Sequence, residues 1–303
     1  MATFASQSTV FRGLQETLES IITDKAEYED KAQFKKYYKV SNMSDAYEDD
    51  AEYGFAGLAS ETGEATEFPV GTLTPGSFTR YMARKFGIKM IVTQEAVDDN
   101  KYDKIIQAGA RCTRALWKTM DIDGALQLAR AESSLYVGGD GVSFASASHT
   151  LPGGGTFSNT MATPMAPSTM GLTLAQTQAD KLPGHDGTRE GYLIKKVIHP
   201  VDQRFLWSRL VNSTHAPEAG EYNAINVIDH DMDIDLVCVR QWTNTTTNWM
   251  GMTDAPDGFK WKFRKKPKSD TWTMDNQQLL YHQIHTRYAR RWSDARCGIW
   301  SGA

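Results

Sequence analysis

The order of three unlike segments constrains this chain more than any other feature of its sequence. A glycine-studded stretch comes first, carrying Gly54, Gly57, Gly63, Gly71, Gly76 and Gly87 with prolines at 69 and 75. One long helical pattern follows, from Asp98 to about Ser134, and a β-rich remainder closes on Tyr288-Ala289-Arg290-Arg291-Trp292-Ser293-Asp294-Ala295-Arg296. A compact monomeric enzyme has little use for a long glycine-rich excursion followed by a helix that spans its whole body. A subunit that reaches over neighbouring copies of itself has a use for both.

Periodicity divides the chain further. Over residues 8 to 39, Phe11, Leu14, Leu18, Ile21 and Ile22 recur at helical steps with charges between them, and Tyr28, Phe34, Tyr37, Tyr38 and Val40 continue the apolar content less regularly. Asp45 to Asp50 is acidic and reads as a boundary. Residues 54 to 87 read as a long, bent β-hairpin unable to form its own core, with strand pieces at Glu67–Val70 and Ser77–Tyr81. Ile88–Thr93 is a stronger strand that returns the chain to the body. Asp98, Asp99 and Asn100 offer N-cap chemistry, and Ile105, Gly109, Cys112, Leu116 and Met120 form one stripe with Ile106, Trp117, Leu126 and Ala129 beside it. A single helix from Asp98 to Ser134 would be roughly 54 Å long at 1.5 Å per residue, ended by the Gly138–Gly141 turn. Beyond it the pattern predicts a helix at Leu172–Leu182, a buried strand at Tyr192–Pro200, an amphipathic helix at Val201–Val211, and strands at Ile225–Ile228 and Leu236–Val239. Lys260–Arg264 and much of Leu280–Tyr288 alternate as half-buried strands do.

The 303 residues can bury a real core without covalent staples. The net charge of −4 is unevenly spread: twelve acids face six bases between Arg12 and Glu61, whereas ten bases face three acids between Lys260 and Arg296. That asymmetry suits head-to-tail attraction between identical copies, the plainer alternative being two solvated faces. No apolar run reaches bilayer length and the start carries no targeting pattern, so no membrane partner is expected. The retained Met1 leads to the expectation that no N-terminal propeptide has been removed. Cys112, Cys238 and Cys297 stand alone, without ligand spacing, and read as ordinary reduced thiols rather than a disulfide framework or zinc site.

Candidate chemistry is sparse. His230, Asp231, Asp233 and Asp235, with Asp229 nearby, could collect a cation, although a solvated acidic turn explains them more simply. Gly138–Gly141 and Gly153–Gly155 lack the strand–turn–helix frame of a phosphate cradle. Ser143, Ser146 and Ser148 lie near His149, but no Gly-x-Ser-x-Gly elbow surrounds them. Lys262, Arg264, Lys265, Lys266 and Lys268, interleaved with Trp261 and Phe263, suit phosphate contact and base stacking, or charge presented to a neighbour's acidic arm. No catalytic, cofactor-binding or metal-binding residue is nominated, and a non-enzymatic role is expected.

Four stretches together resemble the tailed-bacteriophage major capsid proteins of the Hong Kong ninety-seven type. Gly87–Asp99 resembles the return from the extended loop into the spine helix. Asp140–His149 with Gly155–Asn159 resembles the link from spine helix to axial domain. Val197-Ile198-His199-Pro200, followed by Phe205, Leu206, Leu210 and Ser213, resembles the central strand and helix, and Tyr288–Gly298 resembles the closing strand. Each motif is loose alone; their shared order over most of residues 50 to 303 makes the likeness specific.

The resemblance implies an α+β fold with an N-terminal arm (1–50), an extended β-hairpin loop (51–87), a peripheral domain with the spine helix (88–150), a β-rich axial domain (151–270) and closing strands that return to the peripheral domain (271–303). It implies contacts between subunits, for which Gly57, Phe68, Pro69, Pro75, Phe78, Lys265, Lys266 and Lys268 are the candidates. Its expected partners are many identical copies in hexamers and pentamers, a portal, a separate scaffold protein, an optional decoration protein, and non-specific contact with packaged double-stranded DNA. The rivals are an encapsulin-type nanocompartment shell and, more remotely, a β-rich hydrolase.

Overall fold

The structure, a computed structural model, describes residues 32–56, 70–93, 102–215, 225–242, 248–274 and 279–302, with short pieces at 16–17, 59, 61–64, 66–68, 95–96 and 99. The helical pattern at 8–31 and the N-cap residues Asp98 and Asn100 lie essentially outside the described residues. In chain order the strands are β1 (Lys39–Asn42), β2 (Tyr47–Ala56), β3 (Thr72–Met82), β4 (Arg84–Thr93), β5 (His149–Thr150), β6 (Thr156–Phe157), β7 (Ile194–Pro200), β8 (Asp235–Val239), β9 (Trp249–Thr253), β10 (Phe259–Met274), β11 (Leu279–Trp292) and β12 (Gly298–Ser301). The α-helices are α1 (Tyr102–Ala129), α2 (Thr169–Asp180), α3 (Arg204–Val211) and α4 (Val227–Asp231).

Two four-stranded sheets organise the body. The spine sheet has the order β1–β10–β11–β4, with β10 and β11 pairing antiparallel over most of their length. Its architecture follows from period-two alternation in β10. Trp261 and Phe263 point to one face, where they are buried under α1 and the segment 32–38; Lys260 and Lys262 point to the other. Four rings cross the apolar face in a ladder: Phe34 stacks on Trp261 at 4.2 Å, Trp261 on Tyr288 at 4.3 Å, and Tyr288 on Phe86 at 4.7 Å. Each such pair adds about 0.5–1.5 kcal/mol beyond the area it buries.

Residues 32–38, just before β1, do not continue the helical pattern read at 8–39. They hold a 3-10 turn, Phe34–Lys36, because Phe34, Tyr37 and Tyr38 are claimed by the core. Asp121 Oδ1 of α1 accepts from the backbone amides of Gln33 (2.8 Å) and Phe34 (3.1 Å). Gly124 permits the close approach, since a Cβ there would stand 3.1 Å from Phe34 Cβ.

Helix α1 is 28 residues long, roughly 42 Å at 1.5 Å per residue, so it stops at Ala129, short of Ser134. No proline or glycine stops it. Ala131 is buried at 1% exposure and its carbonyl accepts from Ala145 at 2.8 Å, so a tertiary contact turns the chain before the Gly138–Gly141 turn is reached. The buried stripe is Ile105, Gly109, Leu116, Trp117 and Met120, continued by Ala125 and Leu128 rather than Ala129.

The second sheet has the order β12–β9–β7–β8 and is covered by α2 and α3. Its central strand β7 buries Val197, Ile198, His199 and Pro200 in succession, as a strand covered on both faces does. Ser168 caps α2 by accepting from Gly171 N at 3.0 Å. Ile225–Ile228, expected as a strand, instead leads into the short helix α4. The buried Asn226 caps it, accepting from Ile228 N at 3.2 Å and donating to Leu210 O at 2.8 Å, and local side-chain bonding thereby outcompetes strand pairing. Strand β10 also runs on through Pro267, well past Arg264. β1 pairs only with residues 260–263, so Pro267 lies beyond it, at a register irregularity on an unpaired edge where a missing N–H is tolerated.

Candidate functional site

Strands β2 and β3 form the predicted hairpin, which begins at Tyr47 rather than Gly54. The acidic run expected to be a boundary is therefore its first strand. A register shift between Ala51 and Tyr53 supplies the bend, as a bulge does. Glu67, Phe68 and Val70 are not in a strand.

The hairpin's two faces differ by strand alternation. Glu48, Asp50 and Glu52 point inward at every second position; the first two meet lysines spaced the same way, and the third meets Arg296. Lys262 Nζ donates to Glu48 Oε2 at 3.0 Å, Lys260 pairs with Asp50, and Arg296 Nη1 donates to Glu52 Oε1 at 3.1 Å. Ser293 Oγ adds a 2.7 Å bond to Asp50, and Tyr81 OH lies 2.6 Å from Ser293 Oγ. Burial would push the Asp50 carboxyl up, but the bonds from Lys260 and Ser293 outweigh it and hold it below the usual range. For Lys260, burial would lower the ammonium; its bonds to Asp257 and Asp50 raise it instead.

Arg296 is the joint of the molecule. It sits in the 3-10 turn Ala295–Cys297, where the chain leaves the spine sheet after β11 and enters the second sheet as β12. Its side chain is fully buried and donates to Asp294 Oδ2 at 3.0 Å and to the Pro183 carbonyl at 2.7 Å, while its guanidinium covers the Phe157 ring at 4.8 Å. His185 Nδ1 meets Glu52 Oε1 at 2.9 Å. That hydrogen bond raises the imidazole above its ordinary value against the opposing effect of burial. Glu52, which burial alone would raise, is held low by His185 and Arg296. Pro152 wedges into the hairpin beside Gly54 and Gly76, where an added Cβ would stand 2.8 Å from its ring. One hairpin base is thus bound to three parts of its own chain, around a cleft of about 270 Å³.

Part of the charge asymmetry is thus satisfied within one chain: Glu48 and Asp50 find Lys262 and Lys260 of the same subunit. The signal was present in the sequence, in acids at 48 and 50 matched by lysines at 262 and 260.

The outward face is different. Tyr47, Tyr53, Leu73, Phe78 and Met82 are exposed along the strands, and Phe68 and Val70 at the tip are 77% and 85% exposed. Of the candidate contact residues, Phe68 is therefore at the tip, while Phe78 is on the outer face and Pro75 is exposed opposite Tyr53 at the bulge. Gly57 and Pro69 lie outside the described residues. Lys265, Lys266 and Lys268 cluster at the irregularity in β10 and are exposed; Lys265 Nζ lies 2.8 Å from His285 Nε2 and Lys268 pairs with Asp270 at 3.1 Å. They do not join the hairpin base, which Lys260 and Lys262 occupy.

The other candidates resolve by their partners. His149 Nδ1 faces Asp140 Oδ2 at 2.5 Å and its Nε2 faces the Phe144 carbonyl at 2.9 Å, so neither nitrogen serves Ser143, Ser146 or Ser148. Among the described residues no group of three or more His, Cys, Asp or Glu could hold a metal ion, the segment from His230 to Asp235 included. No described helix is long and apolar enough to cross a membrane.

No protein-family model matches the chain, and no curated protein matches it in sequence. Its fold, in contrast, has many solved counterparts. The capsid of the cyanophage P-SCSP1u superposes with a TM-score of 0.56 at 12% identity, covering 87% of this chain and 85% of that one. The capsid of Myoviridae phage XM1 does so at 0.54 and 9% identity, covering 88% and 90%, and the capsid of an empty GTA particle at 0.51 and 12% identity, covering 88% of each. With its long helix beside a long β-ribbon, its projecting hairpin and its second sheet entered through Arg296, the chain has the α+β fold of tailed-phage capsid proteins.

Proposed function

We propose that this chain is the major capsid protein of a tailed bacteriophage, a structural subunit that assembles in many copies into an icosahedral shell around double-stranded DNA. The observation that carries the reading is the division of the hairpin: a base held by charged and buried contacts to its own body, and an outer face and tip that offer Phe68, Val70, Leu73 and Phe78 to no described partner. Apolar surface on a projecting element marks an interaction site. Repeated in every copy and closed by symmetry, modest contacts of this kind add up to a durable assembly.

In this reading, the residues before the hairpin form the arm, its end anchored in the core through Phe34, Tyr37 and Tyr38; the hairpin lies over a neighbour, α1 and the long ribbon build the peripheral part, and the second sheet builds the axial part of hexamers and pentamers. A portal, a separate scaffold protein and an optional decoration protein complete the head, which assembles in the host bacterial cytoplasm. Contact with DNA is non-specific, in keeping with a net charge of −4.

Replacing residues 57–71 with a two-residue turn tests the reading, because it leaves the paired residues of β2 and β3 in place. The expected product is a folded, soluble subunit that forms no shells by electron microscopy; normal shells would overturn the proposal. Absorbance at 260 nm on wild-type particles separates a DNA-filled capsid from a nanocompartment with protein cargo.

A further inference from the structure

A second cleft, of about 230 Å³, opens beside the hairpin base between β3, β4, the C-terminal end of α1 and β11. Five arginines line it, at positions 80, 84, 130, 290 and 291, against one acid, Asp123. Three of the five are engaged: Arg290 with Asp123 at 2.6 Å, Arg80 with Asp49 at 2.7 Å, and Arg130 over the Tyr136 ring at 4.3 Å. Arg84 and Arg291 are exposed, and neither has an ion-pair partner among the described residues. Met82 and Val137 add exposed apolar surface to the lining.

The hairpin tip is complementary in both respects. Glu61, Glu64 and Glu67 are exposed, no lysine or arginine occurs between residues 57 and 71, and the exposed Phe68 and Val70 lie beside the acids. The tip does not serve its own cleft. Arg80 and Met82 line the cleft at the hairpin base, and the ten residues of β2 carry the tip away from it by roughly 30 Å at about 3.3 Å per residue. A cleft of this size admits carboxylate side chains but not a nucleic-acid duplex.

We propose that this cleft receives the acidic hairpin tip of a second copy of the chain, with Arg84 and Arg291 pairing with Glu64 and Glu67. The proposal rests on the shell reading and names the surface on which the hairpin lands. Arg–carboxylate pairing gives the contact a fixed geometry, and charge complementarity selects the register between copies.

Charge reversal with rescue tests it in the full chain, under conditions in which the wild type assembles. The R84E/R291E and E64R/E67R variants should each lower the yield of closed particles about ten-fold or more, with unchanged thermal melting of the subunit. Combining the four substitutions should restore the yield to within about two-fold of wild type. Normal assembly of both reversals, or no rescue on combination, overturns the pairing. If the cleft variant fails to fold, the tip variant decides, since its altered side chains are exposed: normal particles from E64R/E67R overturn the proposal. Normal shells that have lost only their DNA in R84E/R291E assign the cleft to phosphate and overturn it too. Shells lost on tip replacement but normal in the reversals remove this docking site and leave the shell reading standing; normal shells on tip replacement remove both.

Discussion

The base and the tip of the hairpin belong to one continuous pair of strands, yet they are stabilised in opposite ways. At the base, three inward carboxylates are each matched by a cation from the same chain, Pro152 fills the notch beside Gly54 and Gly76, and Tyr81 is fully buried. At the tip, acids and apolar side chains stand in solvent. A strand pair with so little core of its own is held in place where it meets the body and presents the remainder. The difference separates folding from assembly: substitutions at the base should act on the subunit, and substitutions at the tip on the contact between subunits.

The largest effect that would break this comparison is at Arg296. Arg296→Ala leaves Glu52 and Asp294 without their buried cation and should destabilise the subunit by about 3–5 kcal/mol, read as a lower Tm and denaturation midpoint. A loss as small as a surface substitution gives would mean that the base is not the anchor. His185 comes next. Its raised value means that the His185–Glu52 contact is fully present below the unfolded imidazole value of 6.5 and is lost as pH rises through the higher folded value. The lowered Glu52 contributes above its unfolded value of 4.5, and that contribution is lost as pH falls through the folded value. Stability from this contact is therefore greatest between these limits. His185→Gln should cost about 1 kcal/mol near pH 6 and remove the decline on the alkaline side; an unchanged pH profile would exclude His185 from the anchor. The smallest effect on folding is expected at the tip: Phe68→Ser with Val70→Ser should change subunit stability by no more than about 0.5 kcal/mol while reducing shell formation. A stability loss comparable to that of Arg296→Ala would erase the distinction between the two regions.

Much of this was legible in the chain itself. Alternation in Lys260–Arg264 set a strand with one aromatic and one charged face, and the stripe from Ile105 to Met120 set a helix against it, because local periodicity decides which face of an element is apolar. The hairpin was legible from its glycines and from its lack of a core. The sequence by itself therefore determined the long helix, the hairpin, and the strands at Tyr192–Pro200, Lys260–Arg264 and Leu280–Tyr288 with their buried faces; the likeness to a capsid fold rests on the order of four stretches.

Tertiary structure decided where elements end and what their polar faces meet. α1 stops at Ala129 because Ala131 is bonded to Ala145, residues 34–36 form a turn because Phe34 joins the aromatic ladder, and Asn226 starts a helix because it also bonds Leu210 and Ser213. The acids of β2 and the lysines of β10, more than two hundred residues apart, read in the sequence as partners between copies or as two solvated faces. Charge patterns carry no distance, and only the folded arrangement brings Glu48, Asp50 and Glu52 onto cations of their own chain while Glu61, Glu64 and Glu67 at the tip stay exposed.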